Sequence, residues 1–259
     1  WIDVMSEVAF AWMDLLQRGH AEWAWLFLND WLEITGDHAG LALLRYYAVY
    51  RALVRAKVAA IRSGQTTGAG HDAALAETRA LLELASTLTR PLPVRLDITH
   101  GLSGSGKTTV TRTLMQTPGA IRLRSDVERK RLAGLDALAR SGSGIGQQLY
   151  ATDATRRTYE HLARRAGEIL DAGWPVIVDA TFTARWQRDL LREAAHTRNV
   201  EFHIVDFPVP VATLRERIVQ RARAGSDASE ANLAELQHQL DTEDVLAADE
   251  QADIVSIAP

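Results

Sequence analysis

Val94-Arg95-Leu96-Asp97-Ile98-Thr99-His100 runs without a break into Gly101-Leu102-Ser103-Gly104-Ser105-Gly106-Lys107-Thr108. The first stretch alternates in polarity as a strand does, and the second fits the phosphate-loop pattern G-x-x-x-x-G-K-[ST]. Glycines in such a loop let the backbone curl until successive N–H groups converge on phosphate oxygens. The lysine carries a point charge to the β- and γ-phosphates, and the hydroxyl after it ligates Mg²⁺. Gly101, Ser103, Gly104, Ser105, Gly106, Lys107, Thr108 and Thr109 are therefore the expected nucleotide-binding residues, with Thr108 also a metal ligand. Thr109 to Met115 continues as a helix whose positive N-terminal end faces the phosphates. A functionless Gly/Ser-rich turn also fits the pattern, but the strand before it and the helix after it favour a nucleoside triphosphate site.

Downstream, strands and helices alternate, the pattern of a parallel sheet covered on both faces. Strands are expected at 94–100, 119–124, 175–180, 200–207 and 252–257. Helices are expected near 106–116, 126–133, 153–172, 183–197, 210–223 and 229–241. Asp227 with Glu230 resembles a capping box for the last of these. Upstream the character changes. Residues 1–90 lack a convincing strand and read as helices at about 3–18, 20–35, 38–62 and 71–89. Five of the seven tryptophans fall at Trp1, Trp12, Trp23, Trp25 and Trp31. In the third helix Leu43, Tyr46, Tyr47, Tyr50, Leu53, Val54, Val58 and Ile61 recur at helical spacing, a stripe expected to be core. Pro91-Leu92-Pro93 makes a stiff joint, so the expected domains are 1–90, all helical, and 91–259, α/β.

Composition narrows the classes. The 259 residues carry a net charge of −4, so nothing in the overall balance demands a nucleic-acid or anionic-membrane partner. The lack of cysteine excludes disulfides, thiolate metal sites and cysteine nucleophiles, and it fits a cytoplasmic setting. No apolar run has membrane-spanning length. The eight histidines form no metal-binding cluster, and His100 beside the loop reads best as a buried strand histidine. The start at Trp1, within amphipathic sequence, leads us to expect a piece of a longer polypeptide.

Phosphoryl transfer requires positioning, Mg²⁺, a group that orients or deprotonates the acceptor, and cations on the transferring phosphoryl. In open α/β sheets these project from the carboxyl ends of strands. Strand two ends at Ser125-Asp126-Val127-Glu128-Arg129. Asp126 can take a proton from a substrate hydroxyl, and Arg129, one turn later, can hold an anionic substrate group. A helix cap at Ser125 or Asp126 is the plain alternative. Strand three, Pro175-Val176-Ile177-Val178-Asp179, has the shape of a Walker-B strand, with Asp179 on the metal side and Thr181 following; a cap for the next helix competes. Arg217 and Arg221 share a helix face, as a lid at about 208–228 reaching over the triphosphate needs, and Gly225 permits a bend. Arg156 and Arg157, after Tyr150, are candidates for substrate contact or a solvated face. The glycine-rich segment 134–149 is expected to cover the acceptor site.

These motifs resemble those of small P-loop kinases: gluconate-kinase-like and polynucleotide-kinase-like enzymes and, more distantly, zeta-toxin kinases, within the AAA-type ATP-binding domains. The resemblance covers residues 94–258 and rests on Gly101–Thr108, Ser125-Asp126-x-x-Arg129, Val178-Asp179-Ala180-Thr181 and Arg217-Ile218-x-x-Arg221. It implies a five-stranded parallel sheet of order 2-3-1-4-5, ATP and Mg²⁺ as cofactors, Asp126 as the group activating the acceptor hydroxyl and Arg129 as the anchor of a substrate phosphate. The first ninety residues resemble the helical end of an aminoglycoside-phosphotransferase-like domain, as in bacterial bifunctional proteins that join such a domain to a P-loop kinase. The H-x-D-type catalytic loop of that domain is absent from this sequence. The expected activity is transfer of the ATP γ-phosphate to a hydroxyl of a small molecule. A polynucleotide 5′-hydroxyl acceptor is less favoured because extended nucleic acid calls for a basic track. A nucleotide-binding regulatory module with slow hydrolysis is the rival from another class.

Overall fold

The structure, a computed structural model, describes residues 2–136, 152–224 and 232–255, which belong to two compact units, Trp1–Pro93 and Val94–Pro259. In the first unit, α1 (Val4–Gln17) begins at Asp3, whose carboxylate accepts a hydrogen bond from the Met5 amide at 2.9 Å. Helix α2 (Ala21–Thr35) stops at Gly36 in the left-handed region, and α3 (Leu41–Gln65) and α4 (Ala69–Leu88) follow. Trp12 and Trp25 are buried against each other, edge to face at 5.5 Å, whereas Trp23 is exposed.

The buried stripe of α3 is not the expected one. Tyr46, Tyr50, Val58 and Ile61 are exposed, while Leu41, Leu44, Ala48, Ala52, Ala56 and Ala59 are buried. Small side chains let α1 and α4 approach α3 closely, so packing selects the alanine face over the one with the larger residues. Arginines edge that face: Arg51 reaches Glu7 and Ser6, Arg55 reaches Asp14, and Arg62 reaches Glu77.

The second unit contains a five-stranded sheet of order β2-β3-β1-β4-β5, with every adjacent pair parallel. The strands are β1 (Arg95–His100), β2 (Ile121–Arg124), β3 (Val176–Asp179), β4 (Glu201–Asp206) and β5 (Ile254–Val255). The order is the one implied by the resemblance to P-loop kinases. Helices α5 (Lys107–Leu114), α6 (Ser125–Leu132), α7 (Thr152–Asp171), α8 (Arg185–His196), α9 (Val211–Ala224) and α10 (Leu233–Thr242) accompany the strands. Strand β2 starts later than expected because the chain first passes through a π-helical turn, Met115–Gly119, closed by Gly119 at φ 90°. The proposed Asp227–Glu230 capping box lies outside the described residues; α10 is capped by Asn232, whose side chain accepts from the amides of Ala234 and Glu235. Among the described residues, no helix is long and apolar enough to cross a membrane.

Leu96, Ile98, Val176, Ile177, Val178 and Ile204 are fully buried, as expected of parallel strands covered on both faces. One charged pair shares that interior. Arg188 on α8 donates to both oxygens of Glu250 at 2.7 and 3.0 Å and to the Phe182 carbonyl at 2.9 Å, and both residues are 0% exposed. Burial pushes the Glu250 carboxyl upward, but the hydrogen bonds from Arg188 and the Ala247 amide outweigh it and hold the group below its ordinary value of 4.5. The pair's contribution is therefore complete above that value and is lost as pH falls through the lower folded one. Glu250→Gln should cost about 3 kcal/mol of urea stability at pH 7. The gap from wild type should narrow in denaturation curves taken progressively below pH 4.5.

Candidate active site

At the carboxyl end of β1 the chain leaves the sheet as the loop Gly101–Gly106, and the Gly101 amide donates to the Thr181 carbonyl beyond β3 at 3.0 Å. Two glycines here are obligatory on different grounds. Gly106 is the N-cap of α5 at φ 94°, where side chains are strained. Gly104 combines φ 88° with close backbone approach, since a Cβ would lie 3.0 Å from the Leu214 carbonyl of α9. The Lys107 ammonium is buried under the loop and donates to the carbonyls of Gly101 (2.7 Å) and Leu102 (2.8 Å) and to Ser105 Oγ (3.2 Å).

One cleft of about 820 Å³ joins this loop to the ends of β2 and β3. Its walls include Ser103, Gly104, Gly106, Lys107, Thr108 and Thr109 from the loop and α5, Asp126 and Arg129 from α6, Asp179 at the end of β3, and Arg217 from α9. Gly101 and Ser105 belong to the loop but not to this wall. The other sequence candidates converge there, apart from Arg221, whose side chain lies outside the described residues. So do Tyr150, Gly225, most of the expected acceptor cover at 134–149 and the end of the expected lid at 208–228.

The capping alternatives fail on geometry. Helix α6 has Arg124 as its N-cap and no side-chain cap bond, so Ser125 is its first residue and Asp126 its second. Asp126 is instead paired with Arg129, whose Nη1 lies 3.4 Å from Oδ1, and its position in the first turn suits a carboxylate. Asp179 is no cap either, because α8 starts six residues later with Ala184 as its N-cap. Its buried carboxylate accepts from Thr111 Oγ1 at 3.1 Å. Arg217 Nη1 donates to the loop carbonyls of Ser105 (3.2 Å) and Gly104 (3.4 Å). His100 is the buried strand histidine expected, with Nδ1 2.7 Å from Asp206 Oδ1 and no part in the cleft wall. Arg156 lines the cleft, its guanidinium 5.6 Å from the centre of the Trp186 ring, whereas Arg157 is exposed and donates to the Asp153 carbonyl.

Tyr159, Trp186 and Gln239 are among the wall residues that carried no readable signal in the sequence. Tyr159 on α7 is buried edge to face between Phe182 and Trp186, with its hydroxyl 3.5 Å from Thr181 Oγ1. Burial pushes this phenol above its ordinary range, against a smaller opposing pull from Thr181. Trp186 belongs to α8, and Gln239 of α10 hydrogen-bonds Ser103. Nothing in spacing or motif connects these three positions; only the fold assembles them. Lys107, Arg124, Arg129, Arg156 and Arg217 make the cleft locally cationic in a chain of net charge −4. The oxygen donors Thr108 and Asp179 in the same wall suit Mg²⁺, which takes one or two protein ligands and completes its shell with phosphate oxygens and water.

Residues 96–246, more than half of the chain, match the family described as AAA domain. Two uncharacterized proteins, from Mycobacterium tuberculosis and Mycobacterium bovis, are each 31% identical over 232 residues, covering 88% of this chain and 45% of the relative. The chain thus spans about half the length of the curated relatives it matches. Among solved structures it is similar to a sugar kinase from Janibacter sp., with TM-score 0.49 and 24% identity over 64% of this chain and 85% of that one. It is also similar to a gluconokinase from Sinorhizobium meliloti, with TM-score 0.44 and 21% identity over 65% and 83% of the two chains.

The loop geometry makes one position diagnostic. Gly104→Ala should cost about 1–3 kcal/mol in urea denaturation, from the left-handed backbone and the Leu214 contact together.

Proposed function

Because the chain belongs to the AAA domain family and its phosphate loop shares one cleft with Asp126, we propose that it transfers the γ-phosphate of ATP to a hydroxyl of a small molecule. The observation that carries this reading is the Asp126–Arg129 pair, seated in the same cleft as Lys107 and excused from capping duty. A site that only binds or slowly hydrolyses nucleotide has no need of a carboxylate set apart from the metal side.

In this reading the loop amides, the N-terminal end of α5 and Lys107 hold the phosphates. Thr108 and Asp179 would hold Mg²⁺, which, when bound, draws charge from the phosphate oxygens. Asp126 accepts the proton of the acceptor hydroxyl as that oxygen attacks. Arg129 anchors an anionic group of the acceptor and keeps the Asp126 carboxylate oriented. Arg217, already on the loop carbonyls, would serve as one lid cation, and Arg221, four residues on, as the second. The net acidity of the chain supports a small acceptor over a polynucleotide. The all-helical character of the first unit and the doubled length of the mycobacterial relatives support reading residues 1–90 as part of an aminoglycoside-phosphotransferase-like domain in a longer, two-function protein.

The test is an acceptor screen with labelled ATP over sugars, aminoglycosides, nucleosides and 5′-hydroxyl oligonucleotides. Transfer to a small hydroxyl compound, abolished by EDTA, is the expected result. Label confined to oligonucleotide 5′ ends would replace the small acceptor with nucleic acid, and hydrolysis without any transfer would favour the regulatory module. Once an acceptor is found, Asp126→Asn should lower kcat by about 10²–10⁴-fold. The affinity for ADP should stay within about threefold of wild type by calorimetry, since one uncapped carboxylate contributes little to phosphate binding.

A further inference from the structure

We propose that Gln239 is a positioning residue of the phosphate loop, tying the tip of the loop to α10 so that nucleotide affinity depends on where that helix sits. The Gln239 side chain is buried and meets Ser103 twice. Its Oε1 accepts from the Ser103 amide at 2.9 Å, and its Nε2 donates to Ser103 Oγ at 3.0 Å. A further bond from Nε2 to Glu235 Oε1, at 3.2 Å, fixes which end of the carboxamide faces the amide. These contacts span 136 positions of sequence, so they report tertiary design rather than local turn chemistry.

The apolar side of the same junction is equally closed. Leu102, the neighbour of Ser103, is buried in a cluster with Leu214 and Ile218 of α9 and Leu236 of α10. Gly104 sits against the backbone of α9, and Arg217 takes the carbonyls of Gly104 and Ser105. The loop tip is thus held by two helices, one through its carbonyls and the other through an amide. Without Gln239 the Ser103 N–H would be a buried donor lacking its partner, and the turn would rotate to find another. Such a rotation swings the amides that follow, whose convergence on one point is what makes the loop bind phosphate. Helix α10 also lends Glu235, His238 and Thr242 to the cleft, so a ligand touching that wall acts on the loop through Gln239.

The inference rests on Gly101–Thr108 holding nucleotide phosphates and is independent of which acceptor is used. Calorimetric titration of the whole chain with MgADP and with adenosine separates the two. Wild type binding ADP no tighter than adenosine would sink the phosphate-site reading itself. Given a phosphate-dependent wild type, Gln239→Met should weaken MgADP about tenfold, the worth of one buried hydrogen-bonding group, and leave adenosine affinity unchanged. The exchanged pair Glu235→Gln with Gln239→Glu keeps an oxygen on the Ser103 amide and should restore MgADP affinity to within about threefold. Equal weakening of ADP and adenosine by Gln239→Met, or no weakening of either, overturns the proposal. A measurement on wild type guards against a variant that does not fold. The Ser103 amide should exchange its hydrogen more slowly than the amides of Leu102 and Gly104, and exchange at their rate also overturns it.

Discussion

Thr99 and Ala180 exchange two buried hydrogen bonds, and the site depends on them. Thr99 Oγ1 donates to the Ala180 carbonyl at 2.6 Å and accepts from the Ala180 amide at 3.1 Å. On the β3 side the regular ladder ends where Ile98 pairs with Val178, while β1 runs two residues further against β4 before entering the loop. A threonine side chain takes over where the backbone ladder stops, followed by the Gly101 amide on the Thr181 carbonyl. The start of the phosphate loop and the exit of Asp179 are therefore set at one height. On the other side the Phe207 amide donates to the His100 carbonyl at 2.9 Å and His100 pairs with Asp206, so β4 is fixed against the same strand end. Between two parallel neighbours that are both secured, the loop has one way to leave the sheet.

A second anchorage serves α6. Asp126 and Arg129 face the cleft, while Glu128, buried on the same short helix, accepts from His161 Nε2 of α7 at 2.7 Å and from Arg131. Arg164 Nη2 lies 2.9 Å from His161 Nδ1 and has only hydrogens to offer, so that nitrogen is the acceptor and the Nε2–H points at Glu128. The polar pairing of α6 with α7 sets the rotation of an eight-residue helix that lacks a side-chain cap. Its orientation comes from tertiary contacts, since so short a helix has little stability of its own.

The parts of this architecture written in local pattern were legible in the sequence. The strand into Gly101, the apolar run ending at Asp179 and the alternation of elements announce a parallel sheet with its chemistry at the carboxyl ends. Position in the first turn distinguishes a capping carboxylate from a non-capping one by a single residue, so only the coordinates show that Asp126 does not cap α6. The α3 stripe misleads for a related reason: periodicity finds the larger apolar residues, whereas close helix packing uses Ala48, Ala52 and Ala56. Gln239, Tyr159 and Trp186 were invisible because their partners lie on other elements, and single-sequence spacing holds no record of such contacts.

On the proposed kinase reading, the geometry of the cleft bears on the kind of group that would react there. Asp126 would supply a carboxylate able to accept a hydrogen bond, and Tyr159, a phenol whose pKa burial pushes still further above neutral pH, would supply a donor. A hydroxyl both donates and accepts, so it can satisfy the two together. A carboxylate or phosphate acceptor would set its negative oxygen against Asp126 and gain only from the arginines. Phe182 and Trp186, packed edge to face on Tyr159, keep that phenol from rotating away. On the proposed reading, a fixed donor in the same cleft as a paired carboxylate favours an alcohol oxygen as the attacking group.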